Sequence, residues 1–130
     1  MTVRLIAVAA VLVSAYVHMW EWLNGGVSGY RHVHVIGPLF LVNVVAGVVI
    51  AALLLLWHHW LAPFLAAGFG ASTLGGFVIA AQWGLFGDHE SWQGPYIWTA
   101  AVSEAVAIVA GLYLLSVELR SQRTSEPVHA

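Results

Sequence analysis

One carboxylate of this chain stands where carboxylates are costly. Glu104 lies about nine residues into an apolar run that starts at Pro95, with Ala, Val and Ile around it. If that run crosses a bilayer, a charged carboxylate near its centre costs on the order of 2.5–3.5 kcal/mol. Such a group must face other helices, find a partner or stay protonated. Three roles fit it: proton relay, ion coordination, or counter-charge to a substrate. The structural alternative is a hydrogen bond to Asn43, Ser14 or Ser72 in neighbouring runs. Glu104, Asn43, Ser14 and Gln82 make up the candidate intramembrane polar set.

A second group gathers toward one end of the chain's apolar runs. Ser14, His18 and Glu21 are spaced by four and then three residues, which places them on one helix face. Ligands at i and i+3 can share a metal, as in helical Glu-x-x-His sites. Tyr30, Arg31, His32 and His34 fall on the same side, as do Asp88, His89 and Glu90. The candidate metal ligands are therefore His18, Glu21, His32, His34 and His89, and imidazole with carboxylate suits copper, zinc or iron. Met19 is a soft donor for copper. A b-type haem would need His18 and His34 at matching depth. No pair has the spacing of a His-Glu-x-x-His motif, so solvated loops with an Arg31–carboxylate ion pair account for the same residues. His58-His59 reads as an interfacial cap on the second helix.

The elements that must position these residues follow from hydropathy. The chain is 130 residues long, 61% hydrophobic and 8% charged, against roughly 25% charge in soluble domains. Four apolar runs, at about 3–23, 33–57, 61–86 and 95–119, are each long enough to span a bilayer with some tilt. Val13-Ser14-Ala15 vaguely resembles a signal-peptide cleavage site, but the apolar run continues past it through Trp20, so an uncleaved anchor helix is expected. Residues 121–130 are polar and read as a disordered cytoplasmic tail. The expected fold is all-α, a four-helix transmembrane bundle over 1–120. Arg4, Arg120 and Arg123 fall on one side and Arg31 on the other, which puts both termini in the cytoplasm by the positive-inside rule. The seven Trp residues all lie near run ends, where an indole prefers the membrane interface. On the third run Gly68, Ser72 and Gly76 recur every fourth residue, a small-residue stripe of the kind that lets helices approach closely in lipid.

Absent residue types exclude several classes. Without Cys there is no disulfide chemistry, thiolate zinc site or iron–sulfur ligation. A net charge of −2 leaves no basic footprint for nucleic acid. No phosphate-binding Gly loop or nucleophile elbow is present.

Tyr30-Arg31-His32-Val33-His34-Val35-Ile36-Gly37-Pro38-Leu39-Phe40-Leu41-Val42-Asn43 resembles a motif of small four-helix membrane proteins of actinobacteria, whose usual form is Tyr-Arg-x-Ile-Pro-x-Ile-Gly-x-Leu-Phe-Leu-Leu-Asn. Gly84-Leu85-Phe86-Gly87, followed by Glu90, resembles their second motif, Gly-Leu-Phe-Gly-Phe-x-Glu, and Glu104 matches an in-helix Glu. Val33 and His34 depart from Ile-Pro, and Asp88 departs from Phe. The resemblance covers nearly the whole chain and implies a topology but no particular activity.

With short loops and no complete catalytic set, the leading expectation is a non-enzymatic, multi-pass plasma-membrane protein. It would serve as an auxiliary or stabilising subunit of a larger respiratory or transport assembly, with a protein partner or a second copy beside it in the lipid bilayer. The rivals are a metal or haem protein with an extracytoplasmic His/carboxylate site, and a small proton-coupled carrier or channel using Glu104.

Overall fold

A computed structural model of the chain describes residues 1–24, 36–83 and 95–125. They form four helices: α1 (Thr2–Asn24), α2 (Ile36–Leu56), α3 (Leu61–Gln82) and α4 (Pro95–Ser125). Each is long and apolar enough to cross a membrane. Among the described residues prolines fall only where a helix tolerates them: Pro38 and Pro63 are the third residues of α2 and α3, and Pro95 is the first of α4. Within a first turn, the amide N–H that proline lacks has no intrahelical acceptor to lose.

Two boundaries differ from hydropathy. The α4 helix does not stop at Leu119 but runs on through Ser125, so residues 121–125 are helical; residues 126–130 lie outside the described part. Polarity alone does not break a helix. No Gly or Pro intervenes before Pro127, and Arg123 in the last turn complements the negative end of the helix dipole. The α3 helix ends at Gln82, with the Trp83 N–H still bonded to the Ile79 carbonyl at 2.9 Å.

The helices pack as two hairpins, α1–α2 and α3–α4, joined along α1 and α4. The α2–α3 seam is sparser, and among the described residues α2 and α4 do not meet. Alanines fill much of the core: Ala7, Ala62, Ala66 and Ala107 are fully buried, beside Val11 and Leu54. Helices of this apolar kind would gain little from burial against each other in lipid, where close backbone packing does more to hold them. Three glycines set that distance. A Cβ on Gly47 would sit 2.8 Å from the Ala15 Cβ; one on Gly70 would sit 2.6 Å from the Glu104 carbonyl oxygen; one on Gly111 would sit 2.8 Å from the Ala67 nitrogen.

The expected stripe of Gly68, Ser72 and Gly76 does not make these contacts. Gly68 and Ser72 are exposed, and nothing lies within 4 Å of a Cβ built on Gly68 or Gly76. The packed face of α3 carries Pro63, Ala66, Ala67 and Gly70 instead. Two residues along a helix is a rotation of about 200°, so the stripe points away from the bundle.

The histidines between α2 and α3 also act differently from expectation. His59 does not cap the second helix. Its Nδ1 accepts the Leu61 N–H at 3.1 Å and its carbonyl accepts the Ala62 N–H at 3.2 Å, so it caps the start of α3. Stacking on Trp57, with ring centroids 4.5 Å apart, holds the imidazole in place. The reason is geometric: an N-terminus exposes N–H groups, which an imidazole nitrogen can accept, whereas a helix C-terminus needs a donor.

Glycine substitutions separate the two faces of α3. Gly111→Ala should lower thermal stability in detergent by about 1–3 kcal/mol, because the methyl group meets backbone that must shift. Gly68→Ala should be neutral or raise stability by up to about 1 kcal/mol, the usual helix preference for Ala.

Candidate polar site in the bundle interior

The α1 and α4 helices bring three polar side chains together inside the bundle. Glu104 is 2% exposed and fully inward on α4. From α1 the Ser14 hydroxyl donates to Glu104 Oε1 at 3.1 Å. One turn further, His18 Nδ1 donates to the Ser14 carbonyl at 2.8 Å, and His18 Nε2 lies 4.0 Å from the same Oε1. Because a carbonyl can only accept, Nδ1 must carry a hydrogen, and that leaves Nε2 as the nitrogen that gains or loses a proton. Phe40 of α2 meets the imidazole edge-on, with centroids 5.0 Å apart. On the α3 side, Gly70 lets the backbone lie against the turn that carries Glu104. Neither α2 nor α3 contains a charged residue.

This arrangement suits one proton and two bases. With the proton on the carboxyl, both side chains are neutral; with the proton on Nε2, they form an ion pair of the same net charge. Either form avoids a lone buried charge, whereas removing the proton leaves a carboxylate with one hydroxyl donor. Of the three structural partners expected for Glu104, Ser14 is the one found. Asn43 and Ser72 are committed elsewhere: the Asn43 amide donates to Thr73 Oγ1 at 2.9 Å, and the Ser72 hydroxyl donates to the Phe69 carbonyl at 3.2 Å. Asn43 Oδ1 is buried with no hydrogen-bond partner among the described residues. Gln82 is exposed.

A second polar cluster, which the sequence reading did not anticipate, lies at the end of the bundle where the termini sit. Arg4 is 5% exposed. Its Nη2 donates to Glu118 Oε1 of α4 at 2.8 Å, and its Nη1 donates to the Leu54 carbonyl of α2 at 2.7 Å. That carbonyl belongs to the last turn of α2, where carbonyls lack intrahelical donors and a cation is favoured. The available signal was an Arg in the first turn of one apolar run and a Glu near the end of an antiparallel one.

The candidate metal and haem ligands are only partly placed. Arg31, His32, His34 and His89 lie outside the described residues, as do Tyr30, Asp88 and Glu90. Both ring nitrogens of His18 are directed at Ser14 and Glu104, and Glu21 is half-buried one turn further along α1. Among the described residues no three His, Asp or Glu side chains gather closely enough to hold a metal ion. The haem pairing of His18 with His34 likewise lies beyond what is described. Trp20, Trp22, Trp57, Trp60, Trp83 and Trp98 all lie at or next to helix ends.

No protein-family model, curated protein or solved structure matches the chain. The functional reading therefore stands on the geometry of the site.

Two variants test these polar contacts. Ser14→Ala should cost about 1 kcal/mol of stability, the usual net worth of one hydrogen bond. The double change Asn43→Leu with Thr73→Val should be close to neutral or stabilising, since it removes an orphaned acceptor together with its neighbour. Thermal unfolding in detergent, followed by circular dichroism, reads both.

Proposed function

We propose that this chain is a small multi-pass plasma-membrane protein, with both termini in the cytoplasm, that works as a proton-coupled carrier or channel. Glu104 and His18 bind and release the coupling proton. The observation that carries this reading is the 4.0 Å approach of His18 Nε2 to Glu104 Oε1 inside the bundle, on two helices that the site itself ties together. A pair that only stabilised the fold would not need an ionisable carboxyl, because Gln would accept the same Ser14 hydroxyl. Intramembrane carboxylates and histidines that face a bundle interior characteristically mark proton paths.

Purified protein in vesicles containing a pH-sensitive dye tests it. An imposed pH gradient should produce proton flux that Glu104→Gln abolishes and His18→Gln reduces by at least about tenfold, typical of losing one acid–base group. Helical content and monodispersity should not change. Normal flux in Glu104→Gln ends this reading.

A second reading, an auxiliary subunit of a larger membrane assembly, is favoured by the outward face of α3. Gly68, Ser72 and Gly76 present a shallow small-residue surface with open space above it, the form that lets a helix of another chain approach closely. The chain contains no Cys, so Ser72→Cys introduces a unique thiol. Oxidative cross-linking in native membranes should give a defined adduct, either the dimer or a single heterologous product. A chain that stays monomeric there and co-purifies with nothing in mild detergent would remove this second reading.

A further inference from the structure

The polar and apolar residues of the bundle interior are unevenly distributed along its axis. Above the middle, away from the termini, the interior carries Ser14, His18, Asn43, Thr73 and Glu104. Below it, toward the termini, the facing side chains are Val11, Ala7, Ala107, Ala110, Leu114 and Leu54, none more than 7% exposed. None of these six offers a hydrogen-bonding side chain. Ser14 and Arg4 are ten residues apart, so this dry layer is about 15 Å thick, roughly half the hydrocarbon core of a bilayer. It ends at a polar lock in which Arg4 holds α1 to Glu118 of α4 and to the Leu54 carbonyl of α2.

We propose that the Arg4–Glu118–Leu54 clasp is the closed gate between the Glu104–His18 site and the membrane face on which the termini lie. This inference rests on the proton-site reading above and adds the side from which the site is sealed. A proton crosses apolar side chains only if water enters between them, and parting α1 from α4 opens this layer along the seam that carries the Glu104–His18 site. The buried side chains of the layer include the methyl groups of Ala7, Ala107 and Ala110, which interlock little, so parting by the width of a water molecule sacrifices few contacts. The charged pair supplies the resistance instead. Separating Arg4 from Glu118 leaves two poorly solvated charges and an unpaired α2 carbonyl. The gate is therefore closed by default and opens only when the two charges are hydrated together.

The test follows water access and proton flux separately, in the full chain. Ala107→Cys places the chain's one thiol in the dry layer, and vesicles are sorted for termini facing outward. A membrane-impermeant maleimide added outside should label this variant slowly. Adding Glu118→Gln, or in a second protein Arg4→Lys, should raise the labelling rate by about tenfold with helical content retained, as expected when a closed equilibrium loses roughly 1.4 kcal/mol. In the background with Ala107 intact, Glu118→Gln should also increase proton flux, and Glu104→Gln should remove that increase. Unchanged labelling in both gate variants overturns the gate, even if flux depends on Glu104. Faster labelling with no proton flux in any variant upholds the gate and instead ends the proton-site reading. A flux increase that persists in the Glu104→Gln background counts against the gate, because it shows a leak that bypasses the site.

Discussion

The fold is organised around the cost of keeping Glu104 inside an apolar bundle. A carboxyl group 2% exposed cannot be left to lipid or to alkyl side chains, and the helix that carries it offers no ionisable neighbour within a turn. Its hydroxyl and imidazole partners come from α1, the element furthest from α4 in the chain order. That requirement makes α1 and α4 neighbours and closes the bundle. It also fixes the axial register of the two helices, because Ser14 and His18 must both reach the same oxygen. The third helix can approach the same turn only because Gly70 has no side chain.

A division of labour follows. Within each hairpin, backbone proximity dominates: Gly47 against Ala15 in one, Gly70 and Gly111 against α4 and α3 in the other. Between the hairpins the ties are polar: Glu104 to Ser14, Arg4 to Glu118, and Asn43 to Thr73. Van der Waals contact between small residues is short-ranged and fails all at once when helices separate. A hydrogen bond or ion pair in a membrane contributes only about 1–2 kcal/mol or less and can be exchanged for another partner or for water. The hairpins are thus the rigid bodies, and the surfaces between them are where a change of protonation can be felt.

Much of the fold was legible in hydropathy, and the reasons for the exceptions are physical. Four apolar runs gave four helices, because each is long and apolar enough to cross a membrane and together they make up nearly all of the described structure. Ser14 was among three candidates for Glu104, and its i,i+4 relation to His18 was visible. What could not be read was that α1 neighbours α4, since hydropathy does not order helices; His18 was accordingly grouped with loop residues on its own side. The small-residue stripe failed for a related reason. In α3 the series Ala62, Ala66, Gly70 and the series Gly68, Ser72, Gly76 have the same four-residue spacing on opposite faces. An outward face marked by polar residues would make the choice obvious; in α3 both faces carry small or apolar residues. Arg4 was read only as a topology marker, although its guanidinium is sequestered with Glu118 while Arg120 and Arg123 remain exposed.

The two charged features of the α1–α4 interface place the same demand, close approach, on its two ends. Glu104 is stabilised when α1 lies close along its far half, where Ser14 supplies a hydroxyl donor and His18 approaches the same oxygen. Arg4 and Glu118 are stabilised when α1 lies close along its near half. Because α1 is a continuous helix without Gly or Pro between residues 2 and 24, it cannot bend to satisfy one demand independently of the other. A displacement at either end is therefore transmitted as a tilt of the whole helix. A change at the Glu104–His18 pair that loosened its hold on Ser14 would load the Arg4–Glu118 contact about 15 Å away through the stiffness of one helix. No chain of intermediary side chains is needed for that coupling, and the alanine methyls between the two ties offer it little resistance.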